Sequence, residues 1–289
     1  MAGRNEPGPT VLRIMLGAHL RRLRERSGVT RSDAGWAIRS SESKISRLEL
    51  GRVGFKERDV DDLLTLYGVT DPAERERLLK LAQDANNRGW WHRYGGITPD
   101  WFDAYLGLEA AAELIRTYEV QFVPGLLQTP EYTRAVARLT PGGERTDAEV
   151  EQVVALRRTR QQVLEREPPL RLWAVMEESV LWRPIGGAQV QREQLGALIE
   201  AVRKPNITLQ IIPTGSAGHP AMGGAFSVLR FPEPDLPDIV YLEHLTSALY
   251  LDKPDDLDAY THILDALAVS GPRPQEAEAQ LAAILRRLE

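Results

Sequence analysis

No cysteine occurs in the 289 residues, so disulfides, thiolate metal sites and cysteine nucleophiles are excluded together. That absence suits a reducing compartment. No stretch approaches the ~18 consecutive apolar residues that a membrane span requires. The opening MAGRNEPGPTVLRIM lacks the apolar core and small-residue cleavage site of a secretory signal. The expectation is a cytoplasmic protein with no membrane partner. Lysine is scarce: of 36 basic residues only 5 are lysine and 31 are arginine, a bias expected of a GC-rich genome. The sequence also has no G-x-S-x-G, H-E-x-x-H, P-loop or dinucleotide fingerprint. No catalytic residue, metal ligand or cofactor is therefore assigned, and the chain is expected not to be an enzyme.

What is present is ordinary for globular protein: 43% hydrophobic and 27% charged residues, with length enough for two domains. The net charge of −5 weighs against nucleic acid as a partner, because duplex affinity rests on Lys and Arg. Its distribution says otherwise. Residues 1–58 hold 13 basic and 6 acidic side chains, net +7, and the remainder is net −12. A basic front end on an acidic body fits a nucleic-acid module, and equally an arginine-rich solvated helix.

Local pattern separates the two. Leu16, Leu20 and Leu23 recur at helical spacing, and Ser27-Gly28 stops that helix. Thr30 caps a second helix to Ile38, and Ser41 caps a third over Glu42–Leu50, closed by Gly51. A fourth runs from Lys56 to Tyr67, and Asp71-Pro72 opens a fifth to about Arg88. Two short helices joined by a three-residue turn inside a small helical unit make a helix-turn-helix.

The stretch VTRSDAGWAIRSSESKISRLELGR resembles the lambda-repressor-like (XRE) family, with Thr30, Ala34, Ser41, Ile45, Ser46, Leu48, Glu49 and Gly51 at its motif positions. Two residues depart from that pattern: Arg39 stands where a turn glycine is usual, and Gly35 where a small alanine packs the helices. The resemblance implies a third helix in the major groove, with Glu42, Ser43 and Arg47 facing base edges. Arg47 suits a guanine, whose O6 and N7 match its planar fork. Arg31, Lys44, Arg52 and Lys56 become phosphate contacts, Ile45 and Leu48 core, and Glu49 a locally bonded residue.

From residue 89 the character changes. Residues 89–99 form an aromatic-rich junction in which Trp90, Trp91 and Tyr94 fit either a hydrophobic seam or a ligand-binding cage. A helix is expected from Pro99 to Tyr118, a short one at Glu131–Leu139 and a longer one over Asp147–Glu167. Strands are expected at 170–177, 207–213, 225–231, 238–244 and 247–252, with helices near Gln189–Val202 and Pro254–Val269. Residues 271–289 carry a last amphipathic helix that seals the domain or pairs with another subunit. The expected fold is thus an all-α helix-turn-helix domain, residues 1–88, followed by an α+β domain, residues 100–270, with a largely antiparallel sheet.

The blocks LEAAAELIRTYEVQFVPGLLQT, EESVLWRPIGG, ITLQIIP and FSVLRFPEP…DIVYLEH, with Arg157…Arg160-Gln161, resemble the WhiJ-like, antitoxin-like regulators of actinobacteria. That resemblance implies a transcriptional regulator, often encoded beside a small acidic protein that it binds. The residues themselves offer Trp90, Trp91, Arg157, Arg160, Gln161, His219 and Glu243 as candidate effector or partner contacts. Two hydrolytic arrangements are conceivable, Glu177 with Glu243 and Ser216 with His219. The expected function is a homodimeric, sequence-specific DNA-binding regulator acting on a palindromic operator. Its second domain would bind a partner protein or a small-molecule effector. The rival readings are a protein-interaction adaptor with weak or no DNA binding, and a DNA-targeted hydrolase.

Overall fold

The computed structural model describes residues 9–87, 89–99, 101–139, 145–216, 218–232 and 236–288. Arg88 and Asp100, at an expected helix end and helix start, lie outside the described residues. So do Ala217 of the Gly215–Pro220 loop and Glu233-Pro234 of the FSVLRFPEP block. The chain divides into two compact units. The first is chiefly residues up to Arg93 with Asp103–Ala111, and the second is most of the remainder.

Five helices build the head: α1 (Pro9–Arg26), α2 (Arg31–Ala37), α3 (Glu42–Glu49), α4 (Glu57–Leu66) and α5 (Pro72–Ala85). Helices α2, α3 and α5 start where a side chain satisfies an orphan backbone N–H. Thr30 accepts from Asp33 N at 3.1 Å, Ser41 from Lys44 N at 3.2 Å, and Asp71 from Ala73 N at 3.1 Å. Leu16, Leu20, Ile45, Leu48, Leu63 and Leu64 lead the buried core they enclose.

The two departures from the motif have physical consequences. A Cβ on Gly35 would sit 2.9 Å from Ser40 O, so α2 meets the turn at backbone distance. Arg39 has φ 54° and is the sole non-glycine at positive φ among the described residues. A side chain in the left-handed region costs roughly 1–2 kcal/mol, part of which a glycine returns through its freer unfolded chain. Arg39→Gly is therefore expected to stabilise the head by about 0.5–1 kcal/mol. A denaturant midpoint that falls instead would show that the arginine side chain holds the turn.

The second unit carries a six-stranded mixed sheet. Before it stands α6 (Phe102–Ala111), followed by β1 (Leu114–Glu119), α7 (Pro130–Leu139), α8 (Asp147–Gln161) and β2 (Arg171–Glu177). Then come α9 (Glu178–Trp182), α10 (Ala188–Ala201), β3 (Ile207–Ile212), β4 (Phe226–Arg230), β5 (Ile239–Glu243), β6 (Ala248–Leu251), α11 (Pro254–Ser270) and α12 (Ala277–Arg287). The strand order is β3-β2-β1-β4-β5-β6. β1, β2 and β3 run parallel, while β1–β4, β4–β5 and β5–β6 are antiparallel. Helices α7 and α8 make the first crossover between parallel strands, and α9 and α10 the second.

The helix expected over Pro99–Tyr118 is corrected by the structure: it ends at Ala111, and Leu114–Glu119 is the central strand β1. Helix formers in LEAAAEL favour continuation, but Ile115 and Thr117 alternate with Arg116 and Tyr118 across a sheet. Pairing on both sides outweighs local propensity. One face packs Tyr118, Val175, Phe226 and Val240 against Leu264 and Leu267 of α11. The last helix, α12, lies against α10 and β3, so it seals its own unit.

Candidate nucleic-acid interface

Along α3 the residues divide by side. Ile45, Leu48 and Glu49 are buried, whereas Glu42, Ser43 and Arg47 are exposed. The two buried aliphatics anchor the helix in the core of the head, which leaves the three predicted base-reading side chains pointing to solvent. Among the described residues Arg47 makes no ion pair, and neither do Arg39, Arg52 or Lys56, all exposed. These four cations sit on α3 or on the segments that enter and leave it. Arg39 was missed by the sequence reasoning as a candidate contact, although it occupies the turn immediately before α3.

The other two predicted phosphate contacts are held inside the head. Lys44 Nζ lies 2.7 Å from Asp59 Oδ2 and ties α3 to α4. Arg31 Nε donates to Glu49 Oε2 at 2.9 Å. Glu49, only 5% exposed, also accepts from Arg24 Nε and, at 3.2 Å, from Arg24 Nη2. The hydrogen bond to Glu49 raises the Arg24 guanidinium further above its ordinary range, against the effect of desolvation. Arg24 donates in addition to Val29 O at 3.1 Å. One carboxylate thus locks α3 to the end of α1 and the start of α2.

The remaining candidates fall into separate places. Trp91 is buried in the first unit, where its ring lies close to Gly89 and Gly107, and it meets Trp90 edge to face at 5.9 Å.

In the second unit Arg157, Arg160 and Gln161 do converge, on the loop from Val123 to Thr129. Gln161 Nε2 donates to Gln128 O at 2.7 Å. A Cβ at Gly125 would stand 2.0 Å from Arg157 Nη1, so a side chain there would displace the guanidinium. Arg160 is buried over the Phe102 ring at 5.2 Å.

Glu243 is exposed and accepts from Tyr241 OH at 2.8 Å. Near it, Glu119 was missed because its strand was read as helix. Burial pushes the Glu119 carboxyl up to about 8; its hydrogen bond with Thr117 opposes the shift, Glu243 adds to it, and Arg157 opposes it.

His219 lies in the connection from β3 to β4, which crosses the carboxyl-terminal ends of β2 and β1. Its Nε2 stands 2.9 Å from Glu177 Oε1, and Tyr118 OH donates to the same oxygen at 2.7 Å. Burial, then the bond to Glu177, pushes the Tyr118 phenol well above its ordinary range. His219 thereby pins the crossing loop to two strand ends.

Neither hydrolytic arrangement forms. Glu177 and Glu243 end strands three places apart, about 14 Å across the sheet, and strand alternation puts them on opposite faces. His219 is bonded to Glu177 and Tyr118, with no hydrogen bond to Ser216 among the described residues. Among the described residues no cluster of His, Asp and Glu could hold a metal ion, and no helix is long and apolar enough to cross a membrane.

Residues 15–78 match a family described as a helix-turn-helix domain, and residues 102–283 match one described as a domain of unknown function, DUF5753. Searches of curated proteins and of solved structures found no match.

Proposed function

Since the chain belongs to the DUF5753 family and carries a helix-turn-helix domain ahead of that region, we propose that it is a sequence-specific, DNA-binding transcriptional regulator. Its second unit binds a partner protein or a small effector and catalyses no reaction. The observation that carries the reading is α3: Arg47 is exposed and makes no ion pair among the described residues, on a helix fixed from behind by Glu49 and flanked by Arg39, Arg52 and Lys56. A planar guanidinium held this way is suited to a guanine edge, and the flanking cations to phosphates. The regulator acts in the cytoplasm as a homodimer on two half-sites.

For the second unit, support comes from the loop Val123–Thr129, where Arg157 and Gln161 meet backbone, and from the coupled carboxyls Glu119 and Glu243. Loops carried on a sheet scaffold are common recognition surfaces. The resemblance to WhiJ-like, antitoxin-like regulators favours a small acidic protein from a neighbouring gene as the partner.

The reading is tested by selecting duplexes from a random pool with the full chain at fixed salt. The expected result is a motif with two-fold symmetry and half-sites about one DNA turn apart. Recovery of no motif at low salt would favour the adaptor reading.

A further inference from the structure

A crevice of about 150 Å³ lies between α12 and the carboxyl end of β3. Its walls are apolar at Ile211, Pro213 and Ile284, and polar at Glu178, Gln280 and Arg287. An apolar cavity of that size holds a benzene ring, so the space admits a body of about six carbons.

The three polar groups do not satisfy one another. Glu178 Oε2 accepts from Thr214 N at 2.9 Å and Oε1 from Trp182 Nε1 at 3.1 Å, which leaves each oxygen a second lone pair. The Thr214 N–H, working against desolvation, holds the Glu178 carboxyl below its ordinary range, with smaller help from Trp182, the Thr214 hydroxyl and Arg287. The Arg287 guanidinium stands 5.9 Å from the centre of the Trp182 ring and makes no ion pair among the described residues. Gln280 Nε2 donates to Ile211 O at 3.5 Å, which turns that end of the amide to the strand. Its Oε1 is buried with no hydrogen-bond partner among the described residues.

A carboxylate and a guanidinium thus share one small apolar space without pairing. An anion alone would meet Glu178, and a cation alone Arg287. A ligand carrying both charges answers each. An ammonium has three donors, enough for Glu178 and the orphaned Gln280 oxygen, and a carboxylate matches the planar fork of Arg287. A few convergent polar groups on apolar walls are the usual make-up of a small-ligand site.

We propose that this crevice binds a free α-amino acid with a branched aliphatic side chain, of the size of leucine. Its carboxylate lies on Arg287, its ammonium on Glu178 and Gln280 Oε1, and its side chain against Ile211, Pro213 and Ile284. A charged side chain would be buried against those three without a partner, so lysine and aspartate are rejected. That the bound amino acid acts as the small effector rests on the function proposed above; that it binds does not.

The test is isothermal titration calorimetry of the full chain with L-leucine. Isocaproate and isoamylamine keep the side chain and lack one charged group each. The expected result is saturable leucine binding, with both analogues weaker by about tenfold or more. Arg287→Gln and Gln280→Leu should each weaken leucine binding by about tenfold or more as well. Arg287 is exposed on the last turn of α12, so its replacement should leave circular dichroism unchanged. Should Gln280→Leu lose secondary structure, Arg287→Gln decides. Absence of leucine binding overturns the proposal, as does either analogue binding as tightly as leucine, or an Arg287→Gln chain that binds it like the parent. Leucine that binds through these residues yet leaves duplex affinity unchanged refutes its part in regulation and leaves the site standing. A chain that binds leucine but selects no duplex motif refutes the DNA reading alone.

Discussion

Replacing Arg47 with alanine is expected to weaken binding to the selected operator by about 1–3 kcal/mol per half-site, roughly 5- to 150-fold. The expectation follows from exposure and from support. Arg47 stands on the solvent side of α3, has no ion pair among the described residues, and therefore need not break a bond to reach DNA. Its backbone is held by Ile45 and Leu48 in the core and by the Glu49 carboxylate behind them. The helix backbone places Arg47, and the planar fork of its guanidinium loses less entropy per hydrogen bond than a flexible ammonium would, so two bonds to a guanine edge appear as discrimination. The signature is a change in sequence preference at one base pair of each half-site.

Lys56→Ala is the control. An exposed cation that meets only phosphate should weaken all duplexes alike and reduce the salt slope by about one. Lys44, paired with Asp59, would be a poor choice for that control, because its removal also loosens α3 from α4. Gel shifts at two or more salt concentrations, on the selected site and on single-base variants, separate the two behaviours. If Arg47→Ala kept the parent preference at every position, the base contact would have to be assigned elsewhere on α3.

Much of the head is legible because its determinants are local. Thr30, Ser41 and Asp71 each cap the helix that begins beside them, within three residues, so the helix starts can be read to within a residue. The anomaly at Arg39 is legible too, since a turn position that usually takes glycine needs a positive φ. Sequence distance is where legibility fails. Arg31 and Glu49 are 18 residues apart, and Lys44 and Asp59 are 15 apart, so two cations expected at phosphates are paired within the head. In the second unit β1 is hidden by helix-forming neighbours. Without it, neither the strand order nor the meeting of Tyr118, Glu177 and His219 can be derived. The convergence of Arg157, Arg160 and Gln161 was visible as one helix face. Their target, the backbone of Gly125 and Gln128, was not.

The largest effect on stability is expected at Glu49, which is buried behind α3. Its carboxylate is almost wholly removed from water and receives hydrogen bonds from Arg24 and Arg31. Glu49→Ala strands the buried Arg24 guanidinium, with Val29 O and the more distant Glu25 as its remaining acceptors. Breaking a buried pair from one side costs about 3–5 kcal/mol, because the orphaned charge keeps its desolvation penalty. A head of this size has only about 4–12 kcal/mol in total. The head should therefore unfold well below the parent's denaturant midpoint, and fall apart from the second unit as a separate transition. Arg31→Ala removes a more exposed partner and should cost about 1 kcal/mol or less. Glu49→Gln retains an acceptor and should fall between the two. The decisive comparison is the double change Arg24→Met with Glu49→Leu. Removing both charges together should recover most of the stability that either single change loses, since apolar groups of similar volume need no partner. Hydrogen exchange of the amides in α1 to α3, measured in the full chain, reads each effect locally. A loss under 1 kcal/mol for Glu49→Ala would mean that water reaches Arg24, and that α3 is oriented by its leucine and isoleucine packing alone.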